Sequence, residues 1–74
     1  MTYEEFCTNL LLMGWHKHSI RQWKKGTYVV FIYRITSTDR PTPIINLYVN
    51  VGQSPVKHSS YQKVFKHIED INDP

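Results

Sequence analysis

Apolar residues recur along this chain at two different periods. Near its start Tyr3, Phe6, Cys7, Leu10, Leu11 and Met13 follow helical spacing, and Thr2 with Glu5 forms a T-x-x-E capping box. The pattern predicts a helix over 2–13, ended by Gly14, which can take the left-handed conformation without a Cβ clash. Glu4 and Glu5 fall in its first turn, where the helix dipole favours negative charge. Residues 15–23 mix Trp, Ile and Ser with polar residues and read as an edge strand with one wet face. Lys24-Lys25-Gly26 then reads as a three-residue hairpin loop, with Gly26 supplying a positive φ. The next strand, 27–36, is apolar on both alternations, the pattern of a central strand. Residues 37–43 read as a loop because Pro41 and Pro43 cannot donate to a ladder. Over 44–51, Ile45, Leu47, Val49 and Val51 alternate with Asn46, Tyr48 and Asn50, a half-buried strand. A break at 52–55 precedes a second capping box, Ser59 with Gln62, and Tyr61, Val64, Phe65, Ile68 and Ile71 trace the apolar stripe of a second helix.

These elements predict an α+β fold of order α-β-β-β-α, a three-stranded antiparallel meander with both helices on one face. At 74 residues the chain is expected to form one small domain over 1–74. Odd positions of the second and third strands are expected to face the helices, so that Val29, Phe31, Leu47 and Val49 pack with Phe6, Leu10, Val64, Phe65 and Ile68. The other face would carry Tyr28, Val30, Ile32, Arg34, Asn46, Tyr48 and Asn50. This element order resembles that of double-stranded-RNA-binding domains and of the small HicA-type toxin ribonucleases. The stretches Leu12-Met13-Gly14-Trp15 and Pro55-Val56-Lys57-His58 carry the toxin comparison, which implies a small ribonuclease. The Gly-Ser-His strand motif of that family is absent from the sequence, so its catalytic histidine has no matching position.

Composition narrows the function classes. An apolar fraction of 41%, with 14% aromatic, excludes the low-hydrophobicity signature of a disordered chain. A single cysteine, Cys7, excludes an intrachain disulfide, a CxxC redox pair and a cysteine-based zinc site. The apolar run Leu10-Leu11-Leu12-Met13 is far shorter than the roughly 20 residues of a membrane span, and Glu4 and Glu5 stand where a signal sequence would be basic. The expectation is a soluble, cytoplasmic protein without a membrane partner. Charge is distributed unevenly: all nine basic residues lie between 6 and 68, where Asp39 is the sole acid, although the whole chain carries only +3. A cationic body of this kind attracts polyanions, and the same charge also serves solubility.

Few side chains suggest chemistry of their own. His16 and His18 have the H-x-H spacing of a zinc-ligating pair, but a third ligand from His58 or His67 is not fixed by the sequence, and solvated edge-strand histidines are the simpler reading. An acid–base site lacks a positioned partner in the cationic body, and Cys7 on an apolar helix stripe is expected to be inert. No catalytic residue, metal or cofactor is therefore assigned. Binding is better supported. Trp15, Trp23, Tyr28, Ile32 and Tyr48, with Arg34, Asn46 and Asn50, form a candidate partner face, because large rings deliver contact area at low entropic cost. Lys17, Arg21, Lys24 and Lys25 form the densest basic cluster. The first expectation is a non-enzymatic protein-interaction module, an inhibitor or adaptor of phage or mobile-element accessory type. It would bind another protein or a second copy of itself, since Val30 and Ile32 favour a dry contact. The alternative is an RNA- or DNA-binding module using the same rings and charges, and the third is the ribonuclease toxin.

Overall fold

In a computed structural model, which describes residues 1–49 and 52–72, two helices lie against one side of a five-stranded antiparallel sheet. Helix α1 spans Tyr3–Leu12 and begins with the expected capping box. Thr2 Oγ1 accepts from the Glu5 N–H at 3.1 Å, and Glu5 Oε1 accepts from the Thr2 N–H at 3.0 Å. Strands β1 (His16–Ser19), β2 (Gln22–Lys25), β3 (Tyr28–Arg34), β4 (Ile44–Tyr48) and β5 (Val56–His58) are hydrogen-bonded in sequence order, and α2 spans Tyr61–Asn72.

The small α+β class and the terminal helices agree with the sequence pattern, but the three-strand detail does not. The expected edge strand over 15–23 is a hairpin that turns at Ile20 and Arg21, so Ser19 pairs with Gln22. Lys24 and Lys25 belong to β2 rather than to a loop, and the turn to β3 is Gly26-Thr27, with Lys25 paired to Tyr28. Gly26 at φ 59 takes the first central position of this two-residue turn, which hairpin twist reserves for a positive φ. A fifth strand forms over 56–58, between the break at 52–55 and the second helix, where no element was expected.

Replacing a three-residue turn at 24–26 by a two-residue turn at 26–27 sets Trp23 opposite an even rather than an odd position of β3 and so exchanges its faces, because side chains alternate with period two. Trp23 pairs with Val30, and Val30 with Leu47, while Ile32 pairs with Ile45. Val30, Ile32, Ile45 and Leu47 therefore share the helix-covered face and are fully buried. They pack with Phe6, Leu10, Trp15, Trp23, Tyr61, Val64 and Ile68 in one core cluster, which Val49 and Phe65 flank half-buried. Val29 and Phe31, expected in this core, are half-buried on the opposite face instead. Val51 lies outside the described residues.

Asp39 and Tyr61 dock α2. Asp39 Oδ1 accepts from the Tyr61 N–H at 2.6 Å, capping a helix start whose dipole favours a carboxylate, and Oδ2 lies 3.3 Å from the Met1 ammonium. The buried Tyr61 hydroxyl accepts from the Thr36 N–H at 2.9 Å and donates to its carbonyl at 2.6 Å. The serine cap is Ser60 rather than the expected Ser59, its Oγ accepting from the Lys63 N–H at 3.4 Å. Among the described residues no helix is long and apolar enough to cross a membrane.

Candidate functional site

The face of the sheet away from the helices carries three of the six Phe, Tyr and Trp residues that are not buried. Phe31 and Tyr33, two apart on β3, project to the same side with ring centres 4.6 Å apart at 51°. Tyr48, paired with Val29, approaches from β4, and its hydroxyl lies 3.5 Å from that of Tyr33. With Val29, Gln22 and Thr27 these side chains line a shallow concavity of about 470 Å³. Lys24, paired with Val29, and Lys57, paired with Asn46, share this face and are exposed. His16 joins them at the β1 edge through its pairing with Lys24.

Among the described residues the acids avoid the sheet, while basic residues lie on both layers, Lys63 and Lys66 being on α2. The five strands hold Lys17, Lys24, Lys25, Arg34 and Lys57 and not one acid, whereas Glu4, Glu5, Glu69 and Asp70 lie on the helices. The open face is thus positive without an internal counter-charge. Asn46 sits at its centre, opposite Phe31 on one neighbour and Lys57 on the other. Its side chain is 7% exposed, and its Oδ1 is buried without a hydrogen-bond partner among the described residues. The Tyr33 hydroxyl is shifted above its ordinary value, first by its hydrogen bond with Tyr48. Tyr48 is shifted below, first by the same bond and then by the Asn46 amide. Either hydroxyl can be the donor of the bond between them.

Several residues expected at a binding surface have other work. Trp15, Trp23 and Ile32 are core residues, because the two-residue turn brings Trp23 and even positions of β3 under the helices. Tyr28 is half-buried against that core, its ring 6.4 Å from that of Trp15. Arg34 pins the 37–43 loop, donating to the Thr42 carbonyl through Nε at 2.9 Å and Nη2 at 2.6 Å. Asn46 and Tyr48 are on the open face as expected, and Asn50 lies outside the described residues. The basic cluster also divides. Arg21 Nη1 donates to the carbonyls of Ile32 and Tyr33 at 3.2 and 2.6 Å, and Lys25 Nζ donates to the Met13 carbonyl at 2.6 Å at the end of α1. Lys17 pairs with Trp23 on the helix side, leaving Lys24 on the open face. The signal that finds Phe31 and Tyr33 on this surface is Gly26 read as the first residue of a two-residue turn, whereas Lys57 reaches it only through β5, a strand that the sequence pattern does not show.

Chemistry elsewhere is sparse. His58 Nε2 and His67 Nδ1 are 3.1 Å apart where β5 meets α2, at the sheet edge opposite the β1 histidines. Neither therefore supplies a third ligand to His16 and His18, and no group of three potential metal ligands occurs among the described residues. Burial pushes the Cys7 thiol up, which makes its thiolate scarce. Tyr3 is pushed up to about 12, chiefly by burial, while its hydroxyl donates to the Ile20 carbonyl at 2.8 Å. Comparison with protein families, with curated proteins and with solved structures finds no match.

Proposed function

We propose that this chain is a non-catalytic binding module that holds single-stranded nucleic acid on its open sheet face. The observation that carries the reading is the juxtaposition of Phe31, Tyr33 and Tyr48 with Lys24 and Lys57 on strands that contain no acid. Rings offer stacking surface to unpaired bases, and lysines at the margins track phosphates. Val30 and Ile32, which weighed toward a dry protein contact, are core residues and no longer support one here. Lysine is depleted at protein interfaces, and a symmetric contact through this face would set Lys24 and Lys57 against their own copies. A broad sheet also suits a splayed single strand better than a duplex groove.

Fluorescence anisotropy with labelled single-stranded oligonucleotides tests this. Binding should weaken with salt, and Phe31→Ala or Tyr48→Ala should each lower affinity by about fivefold to a hundredfold, the range of one lost base stack. Absence of binding at low salt by a protein with an intact circular dichroism spectrum would refute the reading.

One observation supports the protein-interaction alternative. Leu11, Leu12 and Ile20 are 60, 80 and 61% exposed on α1 and the β1–β2 turn, away from the basic face. Retention of a partner protein from nuclease-treated extract, lost on Leu12→Asp, would favour that alternative.

A further inference from the structure

We propose that Asn46 reads the bound base, its Oδ1 accepting an N–H from the exocyclic amine of adenine or cytosine once Tyr33 and Tyr48 part. This rests on the nucleic-acid reading and adds to it a named contact and a base preference.

An acceptor buried without a partner is costly to keep, and native chains hold few such groups. Asn46 Oδ1 is one of them, and it lies at the centre of the ring-bearing face rather than in the apolar core. Neither cross-strand neighbour supplies a donor to it, since Phe31 has none and Lys57 extends into solvent. A ligand settling on this face therefore meets an amide whose oxygen is still unused. The group that answers it must be a donor.

The Tyr33 and Tyr48 hydroxyls lie against the amide. They touch each other at 3.5 Å, the outer limit of a hydrogen bond, and Tyr33 is 50% exposed. Parting them breaks that contact and their bonds to the Asn46 amide, and it frees both rings to stack on the entering base. The donor's shape then decides which base fits. The amines of adenine and cytosine, like that of guanine, project beyond the ring edge and can reach a recessed oxygen. Thymine offers only its ring imide N–H, set between two carbonyl oxygens that Asn46 Oδ1 repels.

The test compares short labelled homopolymers of deoxyadenylate, deoxycytidylate and deoxythymidylate on the full chain at one salt concentration. The wild type should hold the first two about tenfold more tightly than the third, a difference typical of one well-made base contact. Asn46→Ala should bring all three within about twofold of each other while keeping thymidylate affinity. Equal wild-type affinity for the three sinks the proposal and leaves the nucleic-acid reading intact, and this arm needs no variant to fold. Equal loss of all three in Asn46→Ala also overturns it, since Asn46 would then only shape the face. No binding to any of them defeats the underlying reading itself.

Discussion

On one side of the sheet Val30, Ile32, Ile45 and Leu47 are sealed beneath two helices, while on the other Val29, Phe31, Tyr33 and Tyr48 remain partly open to water. The same strands supply both sets, so the difference lies in side-chain type. Aliphatic residues and two indoles fill the covered side, where close packing rewards dry, stiff side chains. Within β3 and β4 the other side carries two phenols, a phenyl ring and an amide, flanked by Lys24 and Lys57. An antiparallel sheet with one wet face usually turns plain polar residues outward. Rings in that position are not required by the fold, which is why the open face rather than the two helices is read as the functional surface.

The largest expected effect is a stability contrast between neighbouring residues. Ile32→Ala, on the covered side, should cost about 2 to 5 kcal/mol through a cavity that the core cannot fill. Phe31→Ala, one residue earlier on the open side, should cost about 1 kcal/mol, the typical loss outside a sealed core. Urea unfolding of the two variants measures both. Equal losses would mean that the open side is covered core and would remove the basis for binding there.

That contrast turns on a feature the sequence left ambiguous. Residues 28–33 are apolar on both alternations, so periodicity alone cannot say which set faces the helices. In β4 the alternation of Ile45 and Leu47 with Asn46 and Tyr48 is clean, and its inward face was legible. Helix α1 was equally legible, since Thr2, Glu5 and Gly14 mark its ends. The β1–β2 hairpin was not, because Ile20-Arg21 carries no Gly, Pro, Asn or Asp to signal a turn. Trp15 and Trp23 looked like binding anchors on a wet edge strand, yet in a domain this small they supply core volume. The roles of Arg21, Lys25 and Arg34 were beyond sequence reasoning, since each donates to a carbonyl that only tertiary structure brings near. Asp39 did stand out as the lone central acid, and its place at the start of α2 explains that isolation.

A smaller effect tests how the covered side is closed. Tyr61→Phe keeps the ring in the core but removes the hydroxyl that serves both the N–H and the carbonyl of Thr36. The loss should be about 1 to 3 kcal/mol, the cost of stranding partly buried backbone groups. The urea midpoint measures it, and amide exchange at Thr36 locates it. If protection there is unchanged, some other contact holds α2 to the end of β3. Oligonucleotide affinity should be unaffected under conditions where the variant is folded, because Tyr61 lies on the side opposite the rings.

The smallest effect concerns the edge where the two sides meet. His58, on β5, is shifted below its ordinary value, first by burial and then by His67 and Lys63 of α2. A histidine whose folded value is depressed binds fewer protons folded than unfolded, so its contribution to stability is complete above its ordinary value, about 6.5. That contribution is lost as the pH falls through the lower folded value, because the protonated ring must then sit partly buried beside a second imidazole and an ammonium group. The urea midpoint should therefore fall between about pH 7.5 and pH 5.5, and His58→Gln should flatten the fall. An unchanged slope in His58→Gln would assign the acid sensitivity to other groups. If the slope flattens, binding to the open face measured at constant folded fraction should still show no matching step, since this pair lies between β5 and α2 rather than among the rings.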